Sequence, residues 1–229
     1  MTSQRIEDYA LIGDTQTVAL VGRDGSIDWL CLPRFDSGAC FAALLDGPER
    51  GRWLLAPASP VRSTRRRYRE GTLILETEFT TDEGVVRVVD FMPPRDRTPD
   101  VVRVVEGVRG QVRLRMELVI RFDYGSVVPW VRQCQGALSA VAGPDALELR
   151  TDVETRGENL TTVADFTVSA GQRLPFVLRW RRSHEPELAP LDGLAALEDT
   201  EAWWREWAGP CRYHGRWKEA VVEIGRAHV

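Results

Sequence analysis

The side chains able to do acid–base work in this sequence are carboxylates, among them Asp28, Asp36, Asp46 and Asp90. Two carboxylates facing each other across a sugar can hydrolyse it, but no spacing here pairs any two of them. Each reads singly as a turn or ion-pair residue. The run Arg65-Arg66-Arg67 has the charge to hold a phosphate or an anionic sugar. Flanked by Glu70 and Glu76, it reads more simply as the solvated face of a strand. Cys31, Cys40, Cys134 and Cys211 form no CxxC pair, and His184, His214 and His228 add no ligand spacing. A reduced thiol set with no metal and no cofactor is expected. Neither a Gly-x-Ser-x-Gly nor a His-Glu-x-x-His motif occurs, and no glycine loop is built to cradle phosphate. Asn159-Leu160-Thr161 matches a glycosylation sequon, read as accidental without a secretion signal.

The segment Asp24–Ser37 differs, since it crowds Trp29, Pro33, Arg34, Phe35 and Asp36 into one strand and the loop after it. Aromatic rings stack on the apolar faces of sugars while Arg and Asp bind hydroxyls, so this composition suits a carbohydrate-facing rim. A plainer reading makes Trp29 and Phe35 core, lets Pro33 set the turn and pairs Arg34 with Asp36. On residue types alone the plainer reading carries more weight.

Something must position that loop, and the bulk of the chain is ordinary globular material. Of 229 residues, 43% are hydrophobic and 28% charged, which excludes a disordered chain or a coiled coil and leaves ample surface to bury. The formal charge of −4 argues against nucleic acid as a partner. No apolar run is long enough to span a membrane, and Met1–Asp8 has no signal-like apolar stretch, so a cytoplasmic location is expected. Lys218 is the only lysine, and the Arg-, Ala- and Val-heavy usage points to a GC-rich bacterial genome.

Period-two alternation runs through the first four-fifths of the chain. Thr17–Val21 and Ser26–Leu30 flank Gly22-Arg23-Asp24-Gly25, a tight hairpin connection. Strands are expected at 51–56, 61–68, 73–80 and 85–91, and again at 127–133, 137–142, 147–151, 161–168 and 174–181. Val101–Val108 and Val112–Phe122 are expected to meet at a turn through Arg109-Gly110. So many short strands predict a large antiparallel β-sandwich. After the linker Pro186–Pro190, the spacing of Leu194, Leu197, Trp203, Trp204 and Trp207 predicts an amphipathic helix over Leu191–Ala208, stopped by Gly209-Pro210. A second helix is expected from near His214, carrying Trp217, Ala220 and Val221.

Several stretches together resemble the N-terminal domain of bacterial glycoside hydrolase family 15 enzymes. They are Ile6–Asp14, Asp24–Cys31, Pro33–Ser37, Tyr68–Thr77, Val89–Pro93 and Thr200–Trp207, in that order, so the resemblance runs from about Ile6 to Val222. It is closest to an actinobacterial trehalase-like group. The resemblance implies a β-supersandwich, a helical linker and then an (α/α)6 barrel whose two glutamates act as general acid and general base on α-linked glucosides. Known members include trehalases and glucoamylases. No motif of that barrel is present, so no catalytic residue is carried over and the fragment by itself is expected to be inactive. On this reading residues 1–185 are the sandwich and 186–222 the linker and first part of the barrel domain, with Trp203, Trp204, Trp207 and Trp217 as candidates for the interface with the absent barrel.

The last residues, 223–229, depart from the resemblance. Gly225 falls where a helix should continue, at a cost of roughly 1 kcal/mol against Ala, and the seven residues back-translate into a common sequencing adapter. They are expected to be an artefact. The alternative to the hydrolase reading is a stand-alone carbohydrate-binding or interaction module.

Overall fold

The computed structural model describes residues 4–134, 136–209, 213–218 and 221. Among the described residues fifteen strands follow one another: β1 (Tyr9–Gly13), β2 (Val18–Gly22), β3 (Ser26–Cys31), β4 (Ala39–Phe41), β5 (Arg52–Pro57), β6 (Ser63–Tyr68), β7 (Leu75–Thr80) and β8 (Gly84–Phe91). Then come β9 (Asp100–Val119), β10 (Trp130–Cys134), β11 (Ala137–Ala142), β12 (Asp145–Thr151), β13 (Arg156–Glu158), β14 (Thr161–Ser169) and β15 (Arg173–Arg182). A single helical turn, α1 (Ala43–Asp46), follows β4, and α2 (Gly193–Ala208) follows β15. This is the mainly β sandwich expected from the alternation, and every pairing is antiparallel.

β9 belongs to both layers. Its first part pairs with β8 and β15, which continue through β12, β11 and β10 on one side and β7 and β6 on the other. Its second part pairs with β5 and β14, which lead to β3, β2 and β1 and to β13. The expected turn at Arg109-Gly110 is therefore corrected: the chain bends there and continues without reversing. Gly110 has φ +70°, and a Cβ on it would lie 2.3 Å from the Glu83 carbonyl oxygen, so the glycine serves a close strand crossing. A kink and a turn need the same residue, and the sequence does not tell them apart.

The first hairpin forms as the Asp-Gly signal requires. Gly25 has φ +87°, and a Cβ there would meet the Leu55 carbonyl oxygen at 2.5 Å. Side chains from both sheets fill one core between them, including Ile12, Trp53, Met116 and Leu118 from the sheet of β1, β5 and β14 (the first sheet) and Phe79, Val88, Leu147 and Phe176 from the sheet of β7, β8 and β15 (the second sheet). Arg103 crosses that core. Its Nε donates to Asp90 Oδ1 at 2.7 Å, while Nη1 and Nη2 donate to the carbonyls of Trp53 (2.6 Å) and Gly25 (2.7 Å) on the opposite sheet. Both Arg103 and Asp90 are fully buried, so the pair is a polar brace between layers.

The outer face of the second sheet is covered by α2. Ile74, Val89, Val102, Val104 and Val177 pack with Ala196 and Leu197 in a second apolar cluster; burying one such leucine contributes about 1.5–3 kcal/mol. Asp192 caps the helix by accepting from the N–H of Leu194 (2.9 Å) and Ala195 (3.2 Å). Arg69 ties it down, donating to Glu201 Oε2 at 2.5 Å and to Glu76 Oε1 at 2.9 Å. Helix onset at Gly193 agrees with the expected start at Leu191 to within two residues. The second helix expected near His214 lies partly outside the described residues, which show Lys218 N–H donating to the Gly215 carbonyl at 3.0 Å and Val221 N–H to the Trp217 carbonyl at 2.9 Å. Residues 223–229, expected to be foreign, lie outside them altogether.

Candidate functional site

The aromatic, Arg and Asp residues singled out in the sequence converge on the loop between β3 and β4. Trp29, on β3, is half-buried against Cys31, Ala39 and Ala42. The Leu32–Pro33 peptide is cis. Beyond it the chain turns tightly, with Ser37 N–H donating to the Arg34 carbonyl at 3.0 Å and Arg34 N–H to Ser37 Oγ at 3.2 Å. Phe35 points away from the protein with 65% of its surface exposed. The expectation that Phe35 is core is thereby corrected, because its neighbours on the tight turn leave it nothing to pack against.

Arg34 and Asp36 form the pair that the plainer reading predicted. Arg34 Nε and Nη2 reach the two carboxylate oxygens at 2.9 and 3.2 Å, out in solvent. The guanidinium holds the Asp36 carboxyl below the usual carboxylate range. The loop therefore offers a fork of donors and acceptors beside an exposed ring. That suits the binding of hydroxyls and apolar ring faces, and it supplies no proton near neutral pH.

Residues that sequence reasoning missed fix this loop from beneath. Phe35 N–H donates to the Gln16 carbonyl at 3.1 Å. Gln16 is itself positioned by Asp14, whose Oδ1 accepts from the N–H of Gln16 (3.0 Å) and Thr17 (2.8 Å). Asp14 Oδ2 accepts from Arg95 at 2.6 and 2.8 Å. Thr17 Oγ1 donates to the Cys31 carbonyl at 2.6 Å, tying the same turn to the end of β3. From the other side, Tyr124 packs its ring against Trp29 at a centroid distance of 6.0 Å and donates its hydroxyl to the Ser37 carbonyl at 3.4 Å. No local signal marks Asp14, Arg95 or Tyr124 as supports of this loop.

The other candidate carboxylates are engaged in structure. Asp28 accepts from Tyr9 Oη at 2.7 Å and Ser26 Oγ at 2.5 Å. Burial and the facing Asp28 push the Tyr9 phenol well above its ordinary value. Asp46 pairs with Arg50, and Asp90 with Arg103. In the arginine run, Arg66 donates to the carbonyls of Asp8 (2.7 Å) and Val21 (3.1 Å), Arg67 pairs with Glu76, and Arg65 lies across from Glu78. Cys31, Cys40 and Cys134 are unpaired, with burial raising the Cys31 and Cys40 thiols; Cys211 lies outside the described residues. No group of three or more His, Cys, Asp or Glu that could hold a metal occurs among the described residues.

The tryptophans of α2 divide. Trp204 is 1% exposed, with Trp203 and Trp207 set edge-on to it at 4.8 and 5.8 Å. It is buried within this chain, which corrects its place among surfaces open to a partner. Trp203 and Trp207 are half-buried, and Trp217 is exposed.

Residues 1–191 match the family model described as "Trehalase-like, N-terminal". A trehalase of Thermoplasma volcanium is 24% identical, with 97% of this chain aligned to 37% of that protein. Trehalases of Mycobacterium tuberculosis and Mycolicibacterium smegmatis are 30% and 31% identical, each aligned over 88% of this chain and over 33% and 34% of their own lengths. The chain thus spans about a third of the length of these relatives.

Proposed function

The chain belongs to the trehalase-like N-terminal domain family, and on that premise we propose that it is the non-catalytic N-terminal part of an inverting α-glucoside hydrolase of family 15, an α,α-trehalase ahead of a glucoamylase. The observation that carries this reading is the family match over residues 1–191, together with relatives named trehalase of which the chain covers only about a third. These relatives do not favour the free-standing binding module.

In the complete enzyme two glutamates outside this chain would do the chemistry. One protonates the glycosidic oxygen while the other activates a water on the opposite face, across roughly 6.5–9.5 Å. Two carboxylates with separated pKa values suffice without a metal or cofactor. This domain braces the barrel, with residues 186–222 as the linker and the start of the catalytic domain, and Trp203, Trp207 and Trp217 facing it. The loop from Trp29 to Asp36 lies at the rim of the substrate pocket, where Phe35 stacks on a glucose ring and the Arg34–Asp36 fork meets its hydroxyls. Its geometry fits binding and positioning, since none of its groups is poised to exchange a proton. The enzyme works in the cytoplasm; among the described residues no helix is long and apolar enough to cross a membrane.

The test reads the source DNA beyond the codon for Val222, expresses the full reading frame and follows trehalose and maltooligosaccharide cleavage by NMR. Inversion on trehalose releases one α- and one β-glucose at first turnover. Release of α-glucose alone, or cleavage of neither substrate, would overturn the reading.

A further inference from the structure

The edge strands of the two sheets, β10 and β13, flank a groove with a volume of about 430 Å³. Its lining includes Ile120, Arg121, Val128, Trp130, Val131 and Leu160. Trp130 is 87% exposed and Leu160 72%. Apolar side chains of this size, gathered at one place and left in water, mark an interaction surface.

Two further observations say the groove is built to receive something. Asn159 and Leu160 form the two-residue connection between β13 and β14 with φ +47° and +59°. Such a turn favours glycine at its second position, and an exposed leucine held there costs the hairpin without filling any core. Strain of this kind is retained at working surfaces. Beside Leu160, Arg121 is half-buried and spends its Nη1 on the carbonyls of Ile120 (2.7 Å) and Leu160 (3.3 Å). No carboxylate pairs with it among the described residues. The groove is thus apolar with one uncompensated cation on its wall.

The segment from Arg121 to Trp130 also joins the groove to the rim loop. Arg121 N–H donates to the Cys40 carbonyl at 3.2 Å and Tyr124 N–H to the Ala39 carbonyl at 3.2 Å, while the Tyr124 ring lies on Trp29. A body seated on Trp130 and Leu160 therefore lies beside a surface continuous with Phe35. In the relatives, about two-thirds of the polypeptide lies outside the stretch this chain matches, which supplies a covering body of ample size.

We propose that the Trp130–Leu160 groove seats an apolar segment of the C-terminal catalytic portion, with a carboxylate of that segment meeting Arg121. The inference rests on the family reading above and adds the place and chemistry of the contact.

The experiment compares the complete polypeptide with the 229-residue chain by hydroxyl-radical footprinting and mass spectrometry. Oxidation of Trp130 and Leu160 is expected to fall several-fold in the complete polypeptide, while Leu45, exposed elsewhere, serves as reference. Trp130→Ser, Leu160→Gly and Arg121→Met are made in both forms. Each should lower the Tm of the complete polypeptide, whereas Leu160→Gly should leave the 229-residue chain as stable or more so. Equal oxidation of Trp130 in both forms, with trehalose cleavage intact, overturns the docking proposal and spares the family reading. Protection that depends on protein concentration makes a second copy the occupant, and protection that appears only on adding maltooligosaccharide makes it a sugar; either overturns the proposal. Protection of Trp130 in a polypeptide that cleaves no α-glucoside overturns the enzymatic reading and leaves the docking standing.

Discussion

Arg95 donates to Asp14 Oδ2 at 2.6 Å, and the other oxygen of that carboxylate holds the turn whose Gln16 carbonyl supports Phe35. A buried ion pair between distant segments of the chain thus sets the exposed part of the candidate site.

Asp14→Ala should cost about 3–5 kcal/mol, because it strands Arg95 with no carboxylate and frees two backbone N–H groups. Urea unfolding measures the loss, and hydrogen exchange at the Phe35 amide should quicken beyond what the global loss explains. An unchanged Phe35 amide would separate the pair from the loop.

Arg103→Met should destabilise the chain by a similar amount, about 3–5 kcal/mol, since Asp90 is left charged in the core and two carbonyls lose their donor. Adding Asp90→Leu should recover part of the loss, as an apolar pair carries no stranded charge. Guanidinium unfolding of both singles and the double gives the coupling. A double mutant less stable than the sum of the singles would contradict the brace.

Burial alone would raise the Glu76 carboxyl, but the guanidiniums of Arg69 and Arg67 hold it below the ordinary glutamate range. A carboxylate depressed on folding gives stability that is full above its unfolded value, about pH 4.3, and is lost as pH falls through the folded value. Glu76→Gln should therefore lower Tm at neutral pH and make less difference below about pH 4. A deficit that stays constant with pH would show that the charge is not what matters.

If the proposed function holds, Phe35→Ala and Arg34→Ala in the complete polypeptide should lower kcat/KM on an α-glucoside while Tm stays within a degree or two, because both side chains stand in solvent and an exposed surface site contributes little to folding. Asp36→Ala should act in the same direction. If all three left kcat/KM unchanged, the loop would have no place at the substrate.

Much of this was legible because it is local. Alternating side chains marked the strands, Asp24-Gly25 marked the first hairpin, and the spacing of Leu194, Leu197, Trp203, Trp204 and Trp207 marked α2 as an amphipathic helix. What escaped was set by tertiary packing. A glycine at 110 reads equally as turn or kink, and only the β8 and β15 ladders running on opposite edges decide for a kink. Trp203 and Trp204 are adjacent and so point about 100° apart on a helix; which one the protein covers depends on where the sheet lies. The rim loop was visible as a composition. Its supports, Asp14, Arg95 and Tyr124, were not, because their partners are remote in sequence.

The sharing of β9 between the two layers has a consequence for synthesis. β5 and β8 leave the ribosome before or with it and can pair along one of its edges, but β14 and β15, which cover the other, end only at Ser169 and Arg182. Until β14 is made, a twenty-residue, valine-rich strand has one bare edge along both of its halves, and its first half stays bare until β15 follows. The nascent domain is therefore most exposed to mispairing and to chaperone capture while residues 120–182 are being made, and the half that β14 closes is completed before the half that β15 closes.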